Sequence, residues 1–327
     1  MDSIIIYNQV KDSSSPDALD VLDQVKFVEM GLTELGYQVV KKPITENFYD
    51  ELKDIALKQN KDNGDVVFNL VESIRDHDEL LHLVPSILDV YSAKYSGCST
   101  EGSFLTGNKK LAKEIMSMVG IPVPLGYLFN DVTSLKKNLN SLKKGRKYIV
   151  KPVSEDGSVG ITEDSVFTYN GTLPEICQGK KDNAWLIEDY IDGREFNVSV
   201  LAGKVLSPAE IIFQNYTSDM PKVVSYKAKW EEDSFQYNNT VRSLDPIYSE
   251  SLKNKIISAC EKCWAIFHLH GYARVDLRVD DEENIYVMEV NANPCISPDG
   301  GFVAACHHIN LSDKEIIKLI LEDSNNK

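Results

Sequence analysis

The sequence lacks any run of about 18 consecutive apolar residues, the length that a membrane-spanning helix requires. Its first residues, MDSIIIYNQV, place an acid before a very short apolar run, which predicts a first β-strand rather than a signal peptide. Cysteine is scarce, with six residues that lack the spacing of a disulfide-bonded secreted domain. Together these absences predict a cytoplasmic protein without a membrane segment.

Basic residues are also fewer than acidic ones. The chain has 35 lysine and arginine residues against 50 acids, a net charge of −15, and no dense basic cluster. A nucleic-acid surface needs concentrated positive charge, so we expect no nucleic-acid partner, although a local cationic pocket for a small anion remains open. At 327 residues and 43% hydrophobic content, the chain is expected to form two or three globular domains.

A zinc site is disfavoured, although four potential ligands lie close together in the sequence. Cys260, Cys263, His268 and His270 fall in a stretch with helical periodicity that stops at Gly271. Zinc ligands have to converge, usually from a turn or knuckle, rather than follow a helix. We therefore interpret these residues as core cysteines and helix-end histidines.

About the first hundred residues alternate strand-like and helix-like patterns. The apolar runs SIIIYN, YQVVKKP and GDVVFNL are each followed by an amphipathic segment, the first of which ends at Gly36. This βαβα order predicts a parallel sheet covered by helices. After Gly120, the short strand PLGYLFN precedes a lysine-rich predicted helix, 132–145, and the strands KYIVKP and AWLIEDYI follow it, which indicates a mixed unit of antiparallel strands.

The last third is predicted to contain a long helix over 247–270 and a hairpin of the strands YARVDLRVD and IYVMEVN. Side-chain alternation places Asp276 and Glu289 on one face of this hairpin, together with Arg274 and Asn291. Oxygen ligands of this kind suit Mg²⁺, which takes one or two carboxylates together with substrate phosphates. A solvated face with ordinary cross-strand ion pairs is the alternative.

Two glycine-containing segments are candidates for nucleotide contacts. In YIVKPVSEDGSVGI, a strand delivers Lys151, and the turn with Gly157 and Gly160 can present backbone N–H groups to phosphate. Its spacing is not that of a P-loop, and the dinucleotide fingerprint is absent as well. In WLIEDYIDGREF, Glu188 and Glu195 flank a bend where acids can bind an adenine amino group and ribose hydroxyls. Taken alone, each segment is better explained as a surface loop.

The order of these segments resembles the ATP-grasp superfamily, and most closely its D-alanine–D-alanine ligase branch. The resemblance rests on VVFNL, LTGNKKLAKEIMSMVGIPVP, VKPVSEDGSVGI, LIEDYIDGREFNVSVL, YARVDLRV and VMEVNANP, and extends from residue 3 to about 310. It implies an α/β ATP-grasp fold. An N-terminal parallel α/β domain, 1–105, would precede central and C-terminal α+β domains, 106–194 and 195–327, that enclose ATP. The resemblance also implies a homodimer.

The resemblance further implies a set of functional residues on the matching motifs. ATP would be bound by Lys109, Lys151, Glu188, Ile191, Glu195 and Lys229. Two Mg²⁺ ions, or Mn²⁺ in their place, would be held by Asp276, Glu289 and Asn291. Arg274 would stabilise negative charge at the reacting acyl centre, and Ser158 would help to hold the first substrate. Lys229 would reach the γ-phosphate from a mobile segment.

The implied reaction is the ligation of a carboxylate to an amine. The γ-phosphoryl group passes to the carboxylate of an amino acid or similar acid, and an amine or second amino acid then displaces phosphate from the acylphosphate. Such a reaction needs positioning and charge neutralisation more than a nucleophilic side chain. It also needs a closing loop that keeps water away, for which 154–159 and 214–240 are candidates.

The sequence departs from this branch at positions expected to meet the amino-acid substrates. The family has histidine, serine, tyrosine, glycine and serine where this chain has Glu72, Gly157, Trp230, Cys295 and Gly300, respectively. Ser158 remains next to the replaced loop serine, and the backbone N–H of Cys295 can still serve as an oxyanion donor. With the ATP and metal motifs intact, we predict a rebuilt acceptor pocket and substrates other than two D-alanines.

The exchange at Glu72 predicts that one substrate presents an amino or guanidino group there, since an anion would be repelled. Asp299 is a second candidate for this contact, although an Asx turn before two glycines explains it equally well. An ATP-grasp phosphotransferase, a housekeeping D-alanine–D-alanine ligase and a nucleotide-binding protein without catalysis are the alternatives. The complete metal and arginine motifs argue against the last of these.

Overall fold

The computed structural model describes residues 1–11, 15–59, 63–129, 141–177 and 184–325. The N-terminal part contains a parallel sheet of three strands in the order β2-β1-β3. The strands are β1 (Asp2–Asn8), β2 (Gln38–Ile44) and β3 (Val66–Leu70), and the helices that follow them are α1 (Pro16–Glu34), α2 (Phe48–Lys58) and α3 (Leu83–Val90). Every residue of β3 is buried, as in strands covered on both faces. The predicted βαβα arrangement is confirmed.

The last helix of the chain completes this N-terminal layer. α10 (Asp313–Ser324) packs against α1, and the apolar core between them includes Val28, Ile316 and Ile317. The two helices approach closely at Gly31, where a Cβ atom would lie only 2.6 Å from Cγ1 of Ile317. The N-terminal core therefore depends on residues from both ends of the sequence.

The central part contains an antiparallel sheet of four strands in the order β4-β7-β5-β6, which confirms the predicted antiparallel unit. Its elements are α4 (Thr100–Thr106), α5 (Lys109–Met118), β4 (Gly126–Phe129), β5 (Lys147–Pro152), β6 (Val166–Thr168) and β7 (Trp185–Asp189). The helix predicted over 132–145 falls largely on 130–140, which lie outside the described residues.

The C-terminal part is built on a sheet of six strands, ordered β11-β10-β8-β12-β13, with β9 paired to β8. The strands are β8 (Arg194–Leu201), β9 (Lys204–Val205), β10 (Ala209–Phe213), β11 (Thr240–Ser243), β12 (Tyr272–Val279) and β13 (Ile285–Asn291). The helices are α6 (Tyr226–Trp230), α7 (Phe235–Asn239), α8 (Glu250–Ile266) and α9 (Gly301–His308). The segment 214–240, expected to be a loop, thus contains two short helices.

Within the described ranges, no helix is long and apolar enough to cross a bilayer. The long helix α8 instead packs on the C-terminal sheet and carries Cys260 and Cys263 into the apolar core. Sγ of Cys263 lies 3.7 Å from Sδ of Met116, while His268 is exposed, with Nδ1 3.1 Å from Glu101 Oε2. The thiols therefore face the core and His268 faces solvent, so these side chains do not converge.

Candidate active site

The hairpin of β12 and β13 brings two acids together. Asp276 pairs with Glu289 across the strands, and Arg274 pairs with Asn291. The predicted cross-strand arrangement is therefore observed. The register shifts between Asp276 and Leu277, and irregularities of this kind change the direction of neighbouring side chains.

Basic side chains compensate both carboxylates. Arg274 donates two hydrogen bonds to Asp276, from Nε to Oδ1 at 2.8 Å and from Nη2 to Oδ2 at 2.7 Å. Burial alone would raise the pKa of Glu289, but four neighbouring cations hold it well below its usual value. They are Lys109, Lys151, Arg274 and Lys229. Burial raises the pKa of Asp276 despite its contact with Arg274, so Glu289 is the more readily ionised of the two acids.

Lys109 is fixed where α5 meets the glycine-containing turn. Asn108 caps the helix with its side chain, and the backbone N–H of Lys109 donates to the carbonyl of Val153 at 3.0 Å. Nζ lies 2.6 Å from the carbonyl oxygen of Glu155 and 3.5 Å from Glu289 Oε2. The buried ammonium group of Lys109 is therefore held between the turn and Glu289 of the hairpin.

A cavity lies between the central and C-terminal sheets, beside this hairpin. Eight residues predicted to act in catalysis, ATP binding or metal binding line it. They are Lys151, Ser158, Ile191, Glu195, Lys229, Arg274, Asp276 and Glu289. Apolar side chains that include Ile149, Ile161 and Met288 form the rest of its wall. Charged and apolar side chains thus both line the cavity.

Glu188, predicted to contact the adenine edge, is not among the residues that line this cavity. Its side chain is 0% exposed, with Lys151 Nζ 2.6 Å from Oε1 and Lys113 Nζ in contact with Oε2. The two lysines outweigh the effect of burial and lower the pKa of Glu188. Burial lowers the pKa of Lys113 to about 7, and Lys151 adds to that shift.

Lys113 is a residue that sequence analysis missed. It lies one turn after Lys109 on α5, and the spacing of four residues was the available signal that both share a helix face. The fully buried β7 supplies its partner from a distant part of the chain. Without that tertiary contact, a lysine at this position is indistinguishable from a surface lysine.

Arg278 is a second missed residue, and it lines the cavity. It is 4% exposed, with Nη2 2.5 Å from Glu195 Oε2 and Nη1 3.0 Å from the carbonyl oxygen of Ile191. The guanidinium carbon lies 5.3 Å from the centroid of the Tyr190 ring. Burial would lower the pKa of Arg278, but Glu195 raises it. Alternation along β12 from Asp276 was the signal for its direction.

A larger cleft of about 920 Å³ opens between the N-terminal part and this cavity. Arg274 and Lys229 line both spaces. Three predicted substrate residues and one predicted metal ligand also line the cleft. They are Glu72, Trp230, Cys295 and Asn291. The cleft therefore joins the predicted acyl centre to the predicted substrate pocket.

Asp299 and Gly300, also predicted to meet a substrate, line neither space. Asp299 is exposed, and its carbonyl oxygen accepts a hydrogen bond from Arg242 Nη1 at 3.1 Å. Gly300 caps the start of α9, with its N–H 2.8 Å from the carbonyl oxygen of Ser297. These two residues support the loop that carries Cys295 without lining the cleft themselves.

The cleft is strongly acidic on the side of the N-terminal part. Six of its acids come from that part and two from the glycine-containing turn, and four basic residues also line it: Asp17, Asp20, Glu46, Glu72, Asp76 and Asp78; Glu155 and Asp156; and Lys11, Arg75, Lys229 and Arg274. Oε1 of Glu72 accepts a hydrogen bond from Gln24 Nε2 at 2.9 Å. Burial nevertheless raises the pKa of Glu72 to about 7, and repulsion from Asp20 contributes. Burial, together with Asp156, raises the pKa of Asp78 to about 7 as well.

Helix α1 holds the irregular loop that follows β13. Sγ of Cys295 lies 3.1 Å from Oδ2 of Asp20, and Oγ of Ser297 donates to Oδ1 of the same carboxylate at 2.7 Å. Burial raises the pKa of the Cys295 thiol to about 12, and Asp20 contributes. Cys295 is therefore a neutral thiol that donates to an acid.

Residues 214–240, which we call the covering segment, are tied to the glycine-containing turn. Oγ of Ser158 donates to the carbonyl of Val224 at 2.7 Å, and Nε1 of Trp230 donates to the carbonyl of Gly157 at 3.0 Å. Ser158 has a φ of +64°, which places it in the left-handed region that non-glycine residues seldom adopt. The turn and the covering segment therefore form one continuous wall.

The covering segment also reaches the N-terminal part. The hydroxyl of Tyr226 on α6 donates to Asp17 Oδ1 at 2.7 Å. Lys229, on the same helix, lies between this contact and the hairpin. Burial lowers the pKa of Lys229, and the neighbouring Arg274 contributes. The segment thus spans the cleft and places a partly desolvated lysine beside the acids.

Comparisons with known proteins agree with this geometry. The family model described as D-ala D-ala ligase C-terminus matches residues 115–322. The chain is 26% identical over 297 residues to the D-alanine–D-alanine ligase of Haemophilus ducreyi, covering 90% of each chain. It is 26% identical over 302 residues to that of Glaesserella parasuis, covering 92% of each.

A similar fold is found among solved structures. The D-alanine–D-alanine ligase from Bacillus anthracis, in complex with ATP, matches with a TM-score of 0.75 and 20% identity, covering 100% of this chain and 98% of the other. The family model spans well over half of the sequence. The chain therefore belongs to the D-ala D-ala ligase family, has the ATP-grasp fold, and is an ATP-dependent carboxylate–amine ligase of that type.

Proposed function

We propose that this ligase activates the carboxylate of an amino acid, or of a similar acid, and joins it to an amine or a second amino acid. The observation that carries the proposal is the facing pair of Asp276 and Glu289, with Lys109 and Lys151 beside it. When bound, ATP supplies the phosphoryl group that activates the carboxylate, and Mg²⁺ neutralises phosphate charge. The side chains of the protein would bind and orient the reacting groups.

The lysines are proposed to hold the phosphates, since all three are close enough to Glu289 to lower the pKa of that carboxyl. Lys151 and Lys229 line the cavity directly, while Lys109 lies 3.5 Å from Glu289 at its edge. Ile191 and Glu195, which also line the cavity, are proposed to contact the adenine and the ribose, respectively. For Glu188, the buried ion pairs favour a different task from the one expected: it orients Lys151.

The donor set of the hairpin fits Mg²⁺. Two carboxylates and the amide oxygen of Asn291 are hard oxygen ligands, and phosphates and water can complete the coordination. Within the described ranges, no group of three or more histidine, cysteine or acidic side chains is arranged to hold a metal ion, and the proposed set is instead a mixed one of two carboxylates and an amide. We propose two Mg²⁺ ions, with Mn²⁺ as a substitute. Arg274 now holds both oxygens of Asp276 and would release one on metal binding.

Arg274 is proposed to stabilise negative charge at the acyl centre, because it lines the cavity and the cleft alike. The backbone N–H of Cys295 is a second proposed donor, and Ser158 is proposed to help hold the first substrate. The covering segment and the turn 154–159 exclude water from the reacting groups. Water exclusion matters because an acylphosphate hydrolyses readily when it is exposed.

We propose further that the substrates are not two D-alanines. Glu72 stands among the acids of the cleft, and their mutual repulsion favours a substrate that carries an amino or guanidino group at this point. Trp230 and Cys295 line the same cleft and complete a pocket of altered shape. A basic amino acid or a diamine is the class of substrate that relieves the repulsion.

The function is tested by phosphate release from ATP in the presence of Mg²⁺ and a panel of amino acids, alone and in pairs. The panel contains alanine, lysine, ornithine and arginine in both configurations, with norleucine and citrulline as uncharged counterparts. Release that requires both an acid and an amine supports the ligase. A phosphorylated product without condensation indicates a phosphotransferase instead.

The Glu72→Gln variant tests the proposed substrate class within the same panel. We expect it to lose roughly tenfold in kcat/KM for the charged substrate and little for its uncharged counterpart, because one charge-assisted contact disappears. Glu29→Gln, a half-buried acid paired with Lys41 outside the cleft, is the matched control. An unchanged preference and KM in Glu72→Gln would reject the assignment.

Two further proposals concern the domain boundaries and the oligomeric state. We propose domains 1–105, 106–194 and 195–327, since the second boundary falls at the first residue of β8, just after the chain has passed from one sheet to the next. The position of α10 against α1 adds a C-terminal helix to the first domain. A homodimer is proposed from the family resemblance, and light scattering on the purified protein tests it.

A further inference from the structure

We propose that Arg278 is a positioning residue that prepares Glu195 to accept a hydrogen bond from a ribose hydroxyl of the nucleotide. The inference rests on the proposed nucleotide site and adds a residue that the family motif did not supply. Two observations support it: the contacts that the guanidinium group makes, and the one oxygen of Glu195 that these contacts do not occupy.

Arg278 joins three segments that surround the nucleotide cavity. Nη1 donates to the carbonyl of Ile191 at 3.0 Å, in the connection between β7 and β8. Nη2 donates to Oε2 of Glu195 on β8 at 2.5 Å and also contacts the carbonyl oxygen of Lys222 in the covering segment. The group is held between the rings of Tyr190 and Phe213, at 5.3 and 5.9 Å from their centroids. A planar guanidinium fixed at so many points has little freedom.

The ion pair with Glu195 uses only one carboxylate oxygen. Oε2 accepts from Arg278, while Oε1 has no hydrogen-bond partner among the residues that the structure describes. Glu195 lines the cavity. An ionised carboxylate accepts through both oxygens, so Oε1 remains as an acceptor of fixed direction. A sugar hydroxyl is a donor of matching chemistry.

A neighbouring arginine provides a contrast. Arg194, next to Glu195 on β8, donates to both oxygens of Glu210, each at 2.7 Å, and its guanidinium lies 4.9 Å from the ring of Phe196. Arg194 and Glu210 line neither the cavity nor the cleft. The same pair of residue types therefore forms a closed, bidentate contact outside the cavity. Inside the cavity it forms a contact that leaves one oxygen available.

Removal of Arg278 would change the carboxylate in two ways. Glu195 would lose the one counter-ion that it has among the described residues, at a nearly buried position where an ionised group without a partner is unfavourable. The carboxylate would also lose the contact that sets its rotamer. Selectivity for the ribose hydroxyl, and not only affinity for the nucleotide, is therefore expected to depend on Arg278.

Calorimetric titration with ADP, 2′-deoxyADP and 3′-deoxyADP, each with Mg²⁺, tests the inference without need of the other substrates. We expect the wild type to bind at least one deoxynucleotide about tenfold more weakly than ADP, the effect of one hydrogen bond to a charged group. Arg278→Met should bind all three with nearly equal affinity. Arg194→Met, the matched control, should retain the wild-type preference.

Arg278→Lys keeps the charge and guards against a variant that fails to fold. A lysine presents a single ammonium group and does not hold both Glu195 and the Ile191 carbonyl, so an intermediate preference is expected. The inference is overturned if the wild type binds ADP without a preference among the three nucleotides, or if Arg278→Lys and Arg278→Met keep the full preference. It is also overturned if Arg194→Met loses the preference to the same extent. Failure of the wild type to bind any Mg²⁺ nucleotide would instead overturn the proposed function.

Discussion

Individual charged residues in this protein are buried in groups rather than in isolated pairs. Glu188 has two lysine partners, and Glu289 is influenced by four cations. In the acidic cleft the balance is reversed, because burial, with repulsion from neighbouring acids, raises the pKa values of Glu72 and Asp78 to about 7. The candidate site thus holds one carboxylate surrounded by cations and two carboxylates surrounded by other acids.

Lys113 should be essential to the buried group around Glu188. We expect Lys113→Met to lower the free energy of unfolding by about 3 kcal/mol, because removal of one partner leaves a desolvated charge less well compensated. Lys318→Met removes an exposed pair with Glu322 (3.6 Å) on α10 and should cost less than about 0.5 kcal/mol. Urea titration of both variants measures the difference. Equal, small effects would show that Lys151 alone suffices.

Glu72 should make stability depend on pH. Its pKa is raised from 4.5 to about 7 in the folded protein, so the folded state binds its proton more tightly than the unfolded state does. The protonated carboxyl is fully accommodated below the unfolded pKa, and stability is lost as the pH rises through about 7. We expect Glu72→Gln to stabilise the protein by up to about 3 kcal/mol at pH 8 and by less than about 1 kcal/mol at pH 5.

Thermal unfolding of Glu72→Gln and wild type across this range measures that effect. A stabilisation that is the same at both pH values would contradict the raised pKa. Glu29→Gln, which pairs with Lys41 away from the cleft, should show no such trend.

Sequence analysis succeeded at the residue scale where a local rule applied and failed where a tertiary contact decided. Alternation along two strands was enough to place Asp276 opposite Glu289. The partners of Glu188 come from α5 and β5, and no local pattern identifies them. For Arg278, the alternation gave the direction of the side chain, but the partner Glu195 lies on a strand 83 residues earlier.

At the scale of elements, the sheets were predictable and the covering helices less so. Apolar runs and the turns between them indicated the three groups of strands. The packing of α10 on α1 was not predicted, because the amphipathic pattern of each helix shows that a partner exists but not which one. The short helices α6 and α7 have five residues each, too few for a periodic signal.

The contact between α1 and α10 gives a test at this scale. In Gly31→Ala, the new methyl group would meet Ile317 Cγ1 at 2.6 Å, and overpacking should outweigh the gain in helix propensity. We expect a loss of about 1 to 2 kcal/mol in the free energy of unfolding. Met30→Ala, at the exposed neighbouring position, should be nearly neutral. A stabilised Gly31→Ala variant would show that the two helices separate easily.

For the whole molecule, the proposed active site is assembled from parts of the chain that are far apart in sequence. The N-terminal part supplies the acidic wall, the central sheet supplies Lys151, and the C-terminal hairpin supplies the paired acids. The covering segment connects all three through Tyr226, Trp230 and the carbonyl of Val224. The order of motifs predicted this assembly, whereas the chemistry of the acidic wall emerged only from the folded structure.

The most direct test of the account measures how Mg²⁺ changes the affinity for ATP in wild type and in Asp276→Asn. We expect Mg²⁺ to strengthen binding about tenfold or more in the wild type, because the hairpin oxygens and the phosphates share the ion. Asp276→Asn should lose most of this gain, while Glu282→Gln, at the exposed turn of the same hairpin, should retain it. An Asp276→Asn variant with the full Mg²⁺ effect would contradict the account.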